Sequence, residues 1–134
     1  MPSKLTYIYL FFIGFLVSCP DVRYARIDAG ANYLQISQLA VYNTSGSNVA
    51  LGKTVSATSV YTGDVCPYYI SGPVDGVLAA KYFTSCSSYA YLGSASSGAY
   101  WQVELGSSQT ITKVVYYNRA DGGWNTRATT YNFT

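Results

Sequence analysis

Residues 100–118 read YWQVELGSSQTITKVVYYN. In the first six, Trp101, Val103 and Leu105 alternate with Gln102 and Glu104. Successive side chains of a strand point to opposite faces, so this period of two specifies a half-buried strand. Gly106-Ser107-Ser108 reads as a turn. Thr110–Asn118, rich in Ile, Val, Thr and Tyr, reads as a second strand. Working outward, residues 22–28 (VRYARID) alternate, with Val22, Tyr24 and Ile27 apolar, and Ala29-Gly30-Ala31-Asn32 turns the chain. Tyr33–Tyr42 (YLQISQLAVY) is a strand whose alternation slips at Ser37-Gln38, as a β-bulge would make it. Residues 43–48 form a loop, and Val49–Val60 is extended but broken by Gly52. Residues 61–100 are rich in Gly, Ser, Tyr and Pro, with a helical turn expected around Asp75-Gly76-Val77-Leu78. Asp121-Gly122-Gly123 turns the chain, and a further strand begins at Ala128. No stretch after the N-terminal apolar run keeps a helical apolar period. The pattern predicts an all-β fold, an antiparallel sandwich or jelly roll.

Composition narrows the function. A length of 134 residues fits one domain. Charged residues make up 10% and hydrophobic residues 49%, which excludes a disordered chain. The net charge is +2 with no run of like charge, so no phosphate-tracking surface for nucleic acid is expected. Histidine is absent. That removes Ser-His-Asp triads, Cys-His dyads and His-bearing zinc sites. A carboxylate pair is chemically open to a glycosidase. Yet Glu104 lies within a strand pattern, and Asp121 has no carboxylate partner nearby in the sequence. The chain reads as a binding module and not an enzyme.

The N-terminus points outside the cytosol. Lys4 precedes an apolar run over residues 7–17, which ends at Ser18-Cys19-Pro20. The run is shorter than the roughly 20 residues of a membrane span, so residues 1–19 read as a secretory signal peptide, with an uncleaved anchor as the alternative. Leu16-Val17-Ser18-Cys19 also resembles a bacterial lipobox, which would lipidate Cys19 and leave the chain surface-anchored. Otherwise the chain is secreted, with no transmembrane span in its mature part. Cys66 and Cys86 then remain, and an oxidising compartment predicts a disulfide between them. Such a bridge is worth about 3 kcal/mol in the chain-entropy model. Asn43-Thr44-Ser45 and Asn132-Phe133-Thr134 fit the N-glycosylation acceptor pattern.

Four motifs occur in one order: Asn48-Val49-Ala50-Leu51-Gly52-Lys53; Pro73-Val74-Asp75-Gly76; Tyr100-Trp101-Gln102-Val103-Glu104-Leu105-Gly106; and Ile111 to Asp121, ending Tyr117-Asn118-Arg119-Ala120-Asp121. This order resembles the discoidin, or coagulation factor V/VIII type C, domain, and most of all its fucose-binding F-type lectin branch. The resemblance spans residues 48–133 and divides the chain into 1–19, 20–47 and 48–134. It implies a galactose-binding-like jelly roll. Residues 22–42 resemble the family's closing strands. They are either an ordinary first strand or the mark of a permuted domain or of a preceding repeat cut to its tail. The chain stops at Thr134 as a family strand begins, so the jelly roll is incomplete there unless residues 22–42 replace what would follow.

The resemblance implies a carbohydrate-binding module for glycans on glycoproteins or cell surfaces. Arg119 and Asp121 match the family's Arg-x-Asp, and Arg127 resembles its second basic residue, one position further on than usual. Guanidinium groups donate paired hydrogen bonds to sugar oxygens, Asp121 would orient them, and Trp124 would stack on the sugar's apolar face. The family's upstream histidine is missing, and Gly122-Gly123 replaces its adjacent cysteines, so the expectation is a glycan and not fucose in particular. The family's VDG loop also implies calcium. Asp75 would supply the carboxylate, Val77 and Ser87 further oxygens, and Gln38 stands where the family has a glutamate. Weak lectins gain from avidity, so an oligomer fits this class. The alternative from the same family is an adhesion module for phospholipid or protein, using loop tyrosines Tyr68, Tyr69, Tyr89 and Tyr91.

Overall fold

The computed structural model describes residues 18–30, 32–64, 66–83, 89–124, 127–128 and 131–134. Among them, strands dominate, Gly72–Val74 forms a 3-10 turn, and there is no α-helix. The strands are β1 (Cys19–Asp28), β2 (Gln35–Ile36), β3 (Gln38–Asn43), β4 (Val55–Ala57), β5 (Tyr91–Leu92), β6 (Tyr100–Tyr117) and β7 (Asn132–Phe133). All pairings are antiparallel.

β6 is the spine. β1 lies along one edge, with Tyr24 opposite Glu104 and Asp28 opposite Tyr100. Along the other edge, β4 pairs with Trp101–Val103 and β3 with the half that ends at Tyr117. β7 adds outside β1, and β2 with β5 makes a separate two-stranded sheet. The alternation of residues 100–105 is realised: Trp101, Val103 and Leu105 are buried with Ile27, Leu39 and Val41 in one core. Each such side chain contributes about 1.5–3 kcal/mol when fully buried. Trp101 also donates its indole N–H to Ile70 O at 2.8 Å, tying the loops to the sheet.

Several local expectations are corrected. Gly106-Ser107-Ser108 does not reverse the chain, because β6 continues through it. Val22 faces Gln109 and Tyr24 faces Glu104, so the extra residues of β6 form a bulge against β1. Gly106 has φ of 89°, a value that costs glycine little and permits this bend inside a strand. The slip at Ser37-Gln38 is a change of sheet and not a bulge: β2 pairs with β5, and β3 pairs with β6. Residues on both sides of that step are buried, so alternation carried no register there. The extended segment at 49–60 shrinks to β4, since residues 49–52 fold into a turn with Gly52 at φ of 65°. The helical turn lies at Gly72–Val74, where Pro73 presets φ, and not at 75–78. The final strand is only Asn132–Phe133, which pairs with Asp28 and Ile27.

Residues 20–47 are no appendage. β1 and β3 flank β6 within one sheet. Cys19 is a buried free thiol at the start of β1. Residues 1–17 of the expected leader, and Cys86 and Ser87, lie outside the described residues. Cys66 is buried.

Candidate functional site

β6 ends at Tyr117, and the chain leaves the sheet through Asn118-Arg119-Ala120-Asp121. Arg119 turns inward: its side chain is 6% exposed and that of Asp121 12%. Arg119 Nε donates to Asp121 Oδ1 at 2.9 Å, and Nη2 donates to Oδ2, a forked pair suited to a planar guanidinium. Nη1 donates to Gln35 Oε1 at 3.4 Å. The guanidinium carbon sits 4.7 Å from the Phe83 ring centre. Asp121 Oδ1 also accepts from the Phe83 N–H at 3.1 Å. Burial pushes the Asp121 carboxyl up. The hydrogen bonds from Arg119 and Phe83 and the guanidinium charge outweigh it, so its pKa falls below the ordinary 3.8.

Gln35 is the centre that sequence reasoning missed. It is fully buried. Its Nε2 donates to Asn118 Oδ1 at 3.2 Å and to Trp124 O at 2.7 Å. Its N–H donates to Tyr131 Oη at 3.0 Å, and its carbonyl accepts from Tyr116 Oη. A buried amide needs such partners, and here they fix the loop that carries Trp124. The signal was available: a glutamine in the apolar run LQISQLAV.

Arg127 takes a different position from Arg119. Its guanidinium carbon lies 4.6 Å from the Tyr33 ring centre and 4.3 Å from that of Trp124. Trp124 is 50% exposed. An arc of rings continues from there: Tyr33 packs edge-on to Tyr61 at 5.4 Å, Tyr61 meets Tyr68 at 6.4 Å, and Tyr68 meets Phe83 at 5.9 Å. A shallow cleft of about 360 Å³ opens beside Tyr61, Asp64 and Tyr68. Tyr68 Oη donates to Asp64 Oδ2 at 2.7 Å; burial, with that carboxylate, raises the phenol's pKa. The expected quartet is therefore divided: Arg119 and Asp121 form an internal pair, while Trp124 and Arg127 form a stack on Tyr33.

The residues expected around calcium are placed as follows. Asp75 Oδ1 accepts from the Val77 N–H at 2.9 Å, and Oδ2 accepts from Lys81 Nζ at 2.7 Å. Val77 is exposed, and its carbonyl accepts from Ala79 N–H at 2.8 Å. Gln38 is fully buried, and neither amide atom finds a partner among the described residues. Lys81 was not anticipated. It is one of two buried cations among the described residues, the other being Arg119.

Of the loop tyrosines, Tyr68 and Tyr91 are buried in core clusters. Tyr69 and Tyr89 are exposed and stacked at 4.2 Å. Of the acceptor asparagines, Asn132 is exposed, and Asn43 Oδ1 accepts from Ser45 N–H and Ser47 N–H, both at 3.1 Å. No family model matches the chain, and neither a curated protein nor a solved structure matches it.

Proposed function

We propose that this chain is a secreted carbohydrate-binding module of lectin type, built on a galactose-binding-like jelly roll. The observation that carries this reading is the stack of Trp124, Arg127 and Tyr33 beside the cleft at Tyr61. A pyranose presents an apolar C–H face and a rim of hydroxyls. A half-exposed indole meets the first, and a guanidinium with fixed N–H directions meets the second. Gln35 anchors the Trp124 carbonyl, so the platform is organised before a ligand arrives. Arg119 and Asp121 brace the loop from within and do not face the sugar. Binding involves no catalysis.

A glycan array with the purified chain tests this reading. Selective glycan binding is expected, reduced at least tenfold by Trp124→Ala and by Arg127→Ala while the fold persists. A folded wild-type chain that binds no glycan would overturn it. One observation favours a second reading, adhesion to lipid or protein: Leu51, Val77 and Leu78 are exposed at 53%, 52% and 46%. Flotation with anionic vesicles, abolished by Val77→Ser with Leu78→Ser, would favour that reading over the first.

A further inference from the structure

We propose that the ammonium of Lys81 takes the place of a divalent cation between Gly72, Asp75 and Tyr89, so that the protein ties these loop residues together without calcium. Three oxygen acceptors converge on Lys81 Nζ: Gly72 O at 3.3 Å, Asp75 Oδ2 at 2.7 Å, and Tyr89 O. An ammonium has three donors, so this set saturates it. Two main-chain carbonyls and a carboxylate are also the donor chemistry of a hard cation. The oxygens fit a cation, and the cation among them is a side chain. Calcium needs oxygens at about 2.3–2.6 Å on every side, and an ammonium held by the same three atoms leaves it no room. Charge points the same way. Lys81 neutralises the one carboxylate of the set.

The surroundings are built for this close approach. A Cβ on Gly72 would lie 2.6 Å from Tyr89 O and 3.0 Å from Ala90 Cα, so only glycine lets the two carbonyls meet the same ammonium. Lys81 is fixed through its backbone as well. Its N–H donates to Ser37 Oγ at 2.9 Å, and its carbonyl accepts from Ala120 N–H at 2.7 Å. The lock thus joins the 3-10 turn, the step between β2 and β3, and the loop that leads to Asp121. A charge buried to 9% exposure is tolerated only with partners of this kind.

Thermal unfolding in calcium chloride and in EDTA tests the proposal. The wild-type chain is expected to melt at the same temperature in both, and calorimetric titration to give no calcium heat. Lys81→Ala is expected to melt about 10 °C lower in EDTA. Calcium should restore several degrees, because the three oxygens are then open to it. If Lys81→Ala does not fold in EDTA, refolding in calcium is expected to recover it, and Asp75→Asn should be destabilised without a calcium response. A wild-type Tm that rises with calcium would overturn the proposal. So would Lys81→Ala melting like wild type, or a destabilised Lys81→Ala that calcium neither restores nor helps to refold. The glycan reading does not enter this test.

Discussion

The β1–β6 half of the molecule and the loop half are held by different physics. Along β6, Trp101, Val103 and Leu105 pack on Ile27 and Val41, and dispersion and apolar burial hold them. The described loops at 58–64, 66–83, 89–92 and 118–124 close instead around buried polar groups. Gln35, Lys81 and Arg119 each gather several partners, and tyrosine rings fill between them. The contrast has a consequence for substitution. An apolar core loses the transfer energy of what is removed plus the cost of the cavity left behind, whereas a polar centre also leaves former partners buried without it.

The largest expected effect lies where the halves meet. Trp101→Ala removes the main core side chain and its bond to Ile70 O, and should cost about 3–5 kcal/mol in denaturant unfolding. Arg119→Met should cost on the order of 3 kcal/mol, because it strands the Asp121 carboxylate in an enclosed place. A smaller loss for Arg119→Met than for Leu39→Val would mean that the loop half does not depend on its polar centres.

Next comes pH. The Asp121 pKa lies below 3.8 in the folded chain and returns toward that value on unfolding. Its stabilisation is therefore complete above the ordinary carboxylate range. It is lost as pH falls through 3.8 toward the depressed value. Acid unfolding followed by circular dichroism should show this slope in wild type, and Asp121→Asn should flatten it. Gln35→Ala follows, at about 1–3 kcal/mol, since the Trp124 carbonyl loses the Gln35 amide and Asn118 Oδ1 keeps the Tyr116 hydroxyl and the Arg119 N–H as donors. Trp124→Ala is the smallest, within about 0.5 kcal/mol, as expected for an exposed side chain away from the core.

The same contrast explains what was legible in the residues. The period of two along 100–105 named a real strand and its buried face. That along 22–28 named a real strand, but Tyr24, grouped with Val22 and Ile27, is exposed, and the buried face is Ala25 and Ile27. The sheet change at Ser37 was not legible, because residues on both sides of it are buried. The 3-10 turn was expected a few residues too late and β4 was expected too long, since residues 49–52 fold into a turn. β5 was missed because only its pairing with the distant Gln35–Ile36 makes it a strand. At the site, Arg119, Asp121, Trp124 and Arg127 all lie near the exit of β6. Their division into an internal pair and an outward stack depends on Gln35, Phe83 and Tyr33. Those residues are 84, 36 and 94 positions from Arg119, Arg119 and Arg127, as 119 − 35, 119 − 83 and 127 − 33 give. Local sequence carries no trace of contacts at that separation.

The most direct test uses the two indoles of the wild-type chain. Trp101 donates to Ile70 O in the core, and Trp124 is half exposed on the stack. Each gives its own indole N–H signal in a nitrogen-15 NMR spectrum. Titration with the best glycan from the array should move the Trp124 signal to saturation and leave that of Trp101 in place. A bound glycan that leaves the Trp124 signal unmoved would contradict the placement of the binding site on this stack.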